Sequence, residues 1–360
     1  MEETKSLGRN TKKITNHVST VTMIVGGFWI LMLAIGVSQG FSLGGMLGDT
    51  LVRFGRWGLL GLAMVPSIQS GTGPNFALPV GICCGLLAIV CAIEMGLRGI
   101  TWLLVAVVMA IIFGIILGYL YGRLMNAVKG SEMVIATYTG FAVTYLFCIV
   151  WMAAPFTNPI MGWMLGDGLR NTLALSEVGA AQILDNFLKF DLFRSIPMLR
   201  ISVPTGMLLV VFGCCLLVWL FFRSKAGIAI SAIGMNPMFA RASGLNADGS
   251  RVIANVISTV LGAVGVILYG QSFGFSNLYD FPLMMAFQAV ASVLVGGATA
   301  QRAKIIHVIL GTMIFQGLLT NSLPVLDRII PIGDLTVPMQ LVLQNGIILF
   351  ALTRVKGGGK

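Results

Sequence analysis

The sequence predicts an all-α, polytopic membrane protein of about ten transmembrane helices with both termini on the cytoplasmic side. Three observations predict it. Of 360 residues, 57% are hydrophobic and only 10% are charged, against about 25% charged in soluble domains. Mean hydropathy is +0.93. Apolar runs long enough to cross a bilayer, about 20 residues each, recur from one end to the other. So few charges could not cover the surface of a soluble protein of this size.

The runs fall at roughly 18–38, 54–70, 76–95, 101–121, 133–153, 205–222, 252–272, 283–299, 304–322 and 337–353. Residues 1–17 read as a cytoplasmic tail. They are polar and basic (Lys5, Arg9, Lys12, Lys13), and the long run that follows shows no small-residue cleavage site, so an uncleaved first span is expected. Residues 18–353 read as a single transmembrane domain and 354–360 as a second cytoplasmic tail. Lys and Arg set the orientation. With the N-terminus inside, the inner segments hold Arg123, Lys129, Arg223, Lys225, Arg241, Arg251, Arg302 and Lys304 besides both tails. The short outer ones hold only Arg53, Arg56, Arg98 and Arg328. The net charge of +10 is accounted for in this way. No basic face with motif support argues for nucleic acid.

Two breaks interrupt the pattern. Ser70 to Asn75 carries no charge and is expected to turn within the membrane, which non-helical backbone tolerates only where it is buried in protein or lines a cavity. Gly274 to Pro282 separates spans seven and eight. Divided five plus five, the chain places the two breaks at corresponding positions in halves of opposite orientation, the pattern of an inverted repeat. Between spans five and six, residues 155–204 differ in composition. Ile183, Leu184, Phe187 and Leu188 recur at helical spacing, predicting one or two short helices on the outer face, as a lid, a docking surface or an interfacial element.

In-membrane polar groups are the first suspects for a transport pathway. Gln69, Thr72 and Asn75 lie at the first break, Gln271 near the second and Gln288 within span eight, with Phe76, Phe275 and Phe287 as candidate apolar walls. Amides in spans also serve as helix-to-helix glue. Glu94, four residues before Arg98, is expected to pair with it, and His307 to serve a helix contact near the inner face. The six cysteines lie in apolar runs and read as small hydrophobes. No cluster suited to a metal or to catalysis stands out, which argues against a membrane-embedded enzyme.

The segment 223–251 is the longest polar break on the inner side. Asn236-Pro237 has the form of a helix start, with Asn as cap and Pro at the first helical position. Gly244 stands where a helix stop belongs. A short helix from Pro237 to Ser243 would expose Met238 and Phe239 beside Arg241, a combination suited to docking in a partner's groove.

The stretch Gly234-x-Asn236-Pro237-x-x-Ala240-Arg241-x-Ser243-Gly244-Leu245 resembles the cytoplasmic coupling segment of ribose- and galactose-type ABC permeases, a group whose relatives include branched-chain amino acid and nucleoside permeases. Arg251–Gly270, Ala286–Ala298 and Thr320–Leu323 resemble the spans that follow. The likeness is good over about 223–353 and fainter over 44–150, where Lys129–Thr139 fits best. Two departures are visible. Those permeases usually carry an acidic Gly-Ile-Asp-Leu-Ser-Val-Gly turn after span two. Here Gly71–Gly81 lacks the acid. Ala300-Gln301-Arg302-Ala303-Lys304 replaces their Gly-rich turn after span eight. Both are compatible with a divergent half of a heterodimeric pair.

The resemblance implies a membrane-spanning subunit of an ABC importer in a bacterial cytoplasmic (inner) membrane, moving a small polar solute such as a sugar or nucleoside. Gly234, Asn236, Pro237, Phe239, Ala240, Arg241 and Gly244 would then dock on a separate ATPase. It further implies ATPase subunits, a second permease subunit and an extracytoplasmic substrate-binding protein as partners, beside the lipid bilayer. This chain would bind no cofactor, with ATP on the partner. Indeed it contains no Gly-x-x-x-x-Gly-Lys-[Ser/Thr] phosphate loop. A secondary transporter, the rival reading, would need an acid, His or Lys at midplane for ion coupling, and the apolar runs hold almost none.

Overall fold

The structure, a computed structural model, describes residues 19–162, 168–192, 197–329 and 336–356. The proposed tail at 1–17 lies outside them. Among the described residues, six helices are long and apolar enough to cross a membrane unaided: α1 (Thr20–Ser38), α5 (Gly99–Ala127), α6 (Glu132–Ala153), α8 (Thr205–Arg223), α11 (Ala247–Phe273) and α13 (Ile305–Ile329). The remaining crossings are α2 (Leu43–Leu62) continued by α3 (Met64–Gln69), then α4 (Leu78–Glu94), α12 (Phe281–Val295) and α14 (Thr336–Lys356). Among the described residues the chain therefore forms an all-α bundle with ten candidate crossings, the number read from the sequence.

Helix starts follow local chemistry. Ser19 caps α1 by accepting from Val21 N at 3.3 Å, and Ser42 caps α2 by accepting from Gly45 N at 3.2 Å. Pro79 and Pro282 stand in the first turns of α4 and α12, where a missing N–H costs nothing.

The second span begins about a dozen residues before its predicted start at 54. Glycines, Asp49, Arg53 and Arg56 dilute the hydropathy of α2, so its outer half reads as loop. Arg53 and Arg56 are consequently inside the helix rather than in an outer loop. Arg328 likewise stands in the last turn of α13, so of the four cations first placed in the short outer segments only Arg98, which precedes α5, lies outside a helix.

α4 and α11 form the center. α4 is buried on nearly every side. α5 lies against α11 through Gly114, Gly118 and Gly122, where a Cβ would approach the Cα atoms of Val260, Val256 and Val252 at 3.0–3.1 Å. Small residues at fourfold spacing let the two backbones close up.

The packing bears the marks of the five-plus-five inverted repeat. The second span of each half packs on the fourth of the other, α2 on α13 and α11 on α5. The third span of each half packs on its own fourth and fifth, α4 on α5 and α6, α12 on α13 and α14. The first spans depart from the symmetry. α1 covers α13, whereas α8 packs on α2 instead of covering α5.

Among its described residues the outer segment holds a short α-helix, α7 (Ile183–Asn186), as its periodicity suggests, a 3-10 turn at Pro197–Leu199, and also strands that the periodicity does not suggest: β1 (Thr172–Ala174), β2 (Phe190–Leu192) and β3 (Ile201–Val203). β2 pairs with β3, and β1 pairs antiparallel with β4 (Phe275–Asn277), Leu173 opposite Ser276. The second break is therefore a strand stitched to the outer segment, not a bare turn. Glu94 does not pair with Arg98. α4 ends there and Gly96 turns the chain at φ +69°, which removes the helical i,i+4 geometry. Glu94 instead accepts from Thr157 N (3.0 Å), Thr157 Oγ1 (2.7 Å) and Asn158 N (3.1 Å).

Candidate functional site

At the first break most of the stretch from Ser70 to Ala77 is packed inside protein, with Gly71 exposed and Phe76 half-buried. Ser70, Thr72 and Asn75 are all buried. Three hydroxyls knot the turn: Ser70 Oγ donates to Ser67 O at 2.8 Å, Thr72 Oγ1 to Ser67 O at 2.9 Å, and Ser67 Oγ to Gly73 O at 2.8 Å. Gly71 and Gly73 take φ near +80°, at +80° and +81°, a region that favours glycine. Asn75 Oδ1 accepts from Ala77 N at 3.0 Å, and its Nδ2 donates to Ser258 Oγ at 2.8 Å. Ser258 Oγ in turn donates to Ala63 O at 2.6 Å, supplying a partner at the α2–α3 junction. Asn75 thereby holds α4 and α11 to the interruption in span two.

The polar segment after α8 folds as two helices. α9 (Lys225–Met235) was not foreseen as a helix. It is capped by Ser224, which accepts from Gly227 N at 3.3 Å. α10 (Pro237–Ala242) follows. Asn236 Oδ1 accepts from Phe239 N at 3.0 Å, and Gly244 closes the turn at φ +80°.

α9 seats on the first break. A Cβ on Gly234 would collide with the Gln69 carbonyl oxygen, and a Cβ on Gly71 would lie 3.1 Å from Gly234 Cα. The Gln69 amide bridges two neighbours, its Oε1 accepting from Ser231 Oγ at 3.0 Å and its Nε2 donating to Ala303 O at 2.7 Å. One side chain thus joins the polar segment, the first break and the loop leading into α13.

α10 is anchored by Ala240, which is buried with Ile233 and Ala247 in a small apolar cluster of their own. Met238 and Phe239 face outward, 84% and 70% exposed. Arg241 lies 3.5 Å from Asp248, which also receives Lys129 at 2.6 Å. Arg251 pairs with Glu132 at 3.1 Å, both largely buried, and reaches Gly71 O at 3.5 Å. His307 Nδ1 accepts from Lys304 N at 3.3 Å, capping the start of α13.

At the outer end, Gln271 is fully buried. Its Oε1 accepts from Leu184 N at 3.2 Å and its Nε2 donates to Asp185 Oδ2 at 3.3 Å. Ser272 Oγ donates to Asp185 Oδ1 at 2.9 Å and accepts from Arg56 Nε at 2.9 Å. Phe275 packs against Phe273 at a tilt of 46°, ring centers 4.4 Å apart, and Arg56 lies over Phe273 at 5.2 Å.

The eight pathway candidates therefore form two groups. Gln69, Thr72, Asn75 and Phe76 belong to the inner break. Gln271 and Phe275 belong to the outer one. Phe287 of α12 joins the inner group, its ring 6.2 Å from that of Phe76. Its neighbour Gln288 is buried, and its Oε1 has no hydrogen-bond partner. Sequence reasoning missed Arg53, Arg56, Asp185 and Gln316. Arg53 Nε donates to Gln316 Oε1 at 3.1 Å, joining α2 to α13 in the bundle interior. The signal was two arginines three apart, on one face of what proves to be a helix.

A family model described as branched-chain amino acid transport system / permease component matches residues 46–352. No curated protein and no solved structure matches the chain. The match begins inside α2 and runs through α14, taking in both breaks and the α9–α10 segment; this chain belongs to the family of branched-chain amino acid transport system permease components and is a membrane permease component of an ABC transporter.

Proposed function

We propose that this chain forms the translocation pathway of an ABC importer for a small polar solute, of a sugar-like or nucleoside-like kind, and couples it to a separate ATPase through α9 and α10. The observation that carries the reading is the seat of Gly234 on Gln69 and Gly71. A partner that grips α10 would move α9, and α9 has no slack against the first break. The Gln69 bridge to Ala303 would carry the same displacement to α13. Exposed Met238 and Phe239 on a short, well-capped helix supply an apolar grip for the ATPase. ATP would be hydrolysed on that partner.

Phe76, Phe287 and the unpartnered Gln288 carbonyl are the groups best suited to meet a solute with hydroxyls or a planar ring, since the other candidate amides are engaged in helix contacts. A second permease subunit would complete the pathway. An extracytoplasmic binding protein would dock on the outer segment around α7. The described body would act as one permease domain in a bacterial inner membrane.

The test uses the full chain expressed with its genomic neighbours. An ATPase should co-purify, and Met238→Asp with Phe239→Asp should abolish that association. Gly234→Val should leave the association intact while uncoupling ATP hydrolysis from uptake. Normal ligand-stimulated hydrolysis and uptake in Gly234→Val would sink the coupling assignment.

A further inference from the structure

The departure of α8 from the repeat symmetry leaves a groove. α1 covers α13 in one half, but α8 stands off α5 in the other, and the gap between them is floored by α11. In its membrane-embedded part, Ile111 and Ile115 of α5, Leu217 and Phe221 of α8, and Val256 and Ile257 of α11 enclose about 390 Å³. Val256 and Ile257 also line a second cavity of about 660 Å³ that continues toward the cytoplasmic end. The two cavities adjoin at Val256 and Ile257, and their lining on α5 runs from Ile111 to Arg123. At 1.5 Å per residue that is roughly 18 Å, close to the depth of a single leaflet, about half of a 30 Å hydrocarbon core.

The walls change character at the inner end. The membrane-embedded part is apolar throughout. The mouth carries Tyr119, Arg123, Asn126, Asn246 and Asp248. Arg123 is held in place by its own helix, its Nη1 donating to Tyr119 Oη at 3.0 Å and its guanidinium lying 5.9 Å from the Tyr119 ring center. Among the described residues no carboxylate lies within 4.0 Å of it. The one acid at the mouth, Asp248, is already shared by Lys129 and Arg241. The mouth therefore has an excess of positive charge over an apolar slot one leaflet deep.

We propose that this groove seats one anionic phospholipid of the inner leaflet, with an acyl chain between α5 and α8 and its phosphate on Arg123. Three features select this occupant. An acyl chain fits an apolar slot open to the membrane. A phosphate matches a guanidinium that no acid neutralises. The surplus of Arg123, Lys129 and Arg241 over Asp248 disfavours a zwitterionic headgroup relative to an anionic one. The site adjoins Asn246, which caps α11 by accepting from Gly249 N at 2.9 Å, so the headgroup would rest where the α10 segment rejoins the bundle.

The test is native mass spectrometry of the full chain in detergent with equal amounts of palmitoyl-oleoyl phosphatidylglycerol and phosphatidylcholine. The wild-type chain should retain the anionic lipid at least about fivefold over the zwitterionic one. Arg123→Ala should bring that ratio near one, and Arg123→Lys should keep most of it. Val256→Trp should fill the slot and lower retention of both lipids. Arg302→Ala, an exposed cation that does not line the groove, should change nothing.

A wild-type ratio near one overturns the proposal whether or not any variant folds. So does an unchanged ratio in Arg123→Ala. Displacement of the lipid by glycerol 3-phosphate would mean a site for a soluble anion. Loss of a dimer in Val256→Trp, with lipid retention unchanged, would mean that a second copy of the chain fills the groove.

Discussion

Arg251 and Glu132 meet at 3.1 Å with side chains only 11% and 16% exposed. Burial of this kind makes the pair costly to break from one side, because the remaining charge keeps its desolvation penalty without its partner. Glu132 has a second duty, its Oε2 accepting from Gly130 N at 2.9 Å, so it cannot turn to water without releasing the α5–α6 turn. Arg251→Ala should therefore destabilise the folded chain by about 3 kcal/mol, measured as a lower midpoint in detergent unfolding. Arg251→Ala with Glu132→Gln should recover part of the loss. If the double variant is no better than the single one, the pair is not what holds the turn. Gln69 makes a similar point at lower charge. As an amide near a break it suggested a place in the pathway, yet both ends of its side chain are taken up by Ser231 and Ala303.

At the scale of elements, the α5–α11 contact depends on having no side chain at Gly114, Gly118 and Gly122. Gly118→Leu would push a branched chain into Val256 and Thr259 and force the helices apart. Overpacking of this sort costs about 2 kcal/mol, and the same change at Gly213, where a Cβ would meet nothing within 4 Å, should be close to neutral. Equal effects of Gly118→Leu and Gly213→Leu on the unfolding midpoint would contradict the close packing. Elements also show why some structure escaped the sequence. α10 was legible because Asn236, Pro237 and Gly244 each act locally, within a single turn. α9 was not, since its apolar residues sit among Gly, Ser and Lys that read as loop. The three-residue strands were not legible either. Such strands have no periodicity to detect, and β1 meets β4 only across about a hundred residues of chain.

For the whole molecule, ten crossings and the cation distribution place the turn holding Lys129 and the loop holding Gln301 on the inner side, with Glu177 on the outer. Single cysteines introduced at these positions in a cysteine-free background should follow that order. Glu177→Cys should react with a membrane-impermeant maleimide on intact cells, while Lys129→Cys and Gln301→Cys should react only after permeabilisation. Labelling of Lys129→Cys in intact cells would invert the topology and remove both α10 from the ATPase side and the lipid groove from the inner leaflet. The inverted repeat gives the molecule one break at each face. The inner break is tied to the α9–α10 segment and the outer one to the β1–β4 ladder, so each face has its own handle on the same bundle.

The sequence by itself determined that the chain is an all-α protein that crosses a membrane many times, and where its short α10 helix starts and stops. Those properties depend on composition, on runs of apolar residues and on capping chemistry, all local along the chain. Tertiary structure alone decided which polar groups meet. Arg53 finds Gln316 across 263 positions, Asn75 finds Ser258 across 183, and Gly234 finds Gln69 only because α9 folds back onto the first break. The reason is physical: in a bilayer the apolar run fixes that a helix spans, while the fit of small residues between helices fixes its neighbours, and that fit is not written at any one position.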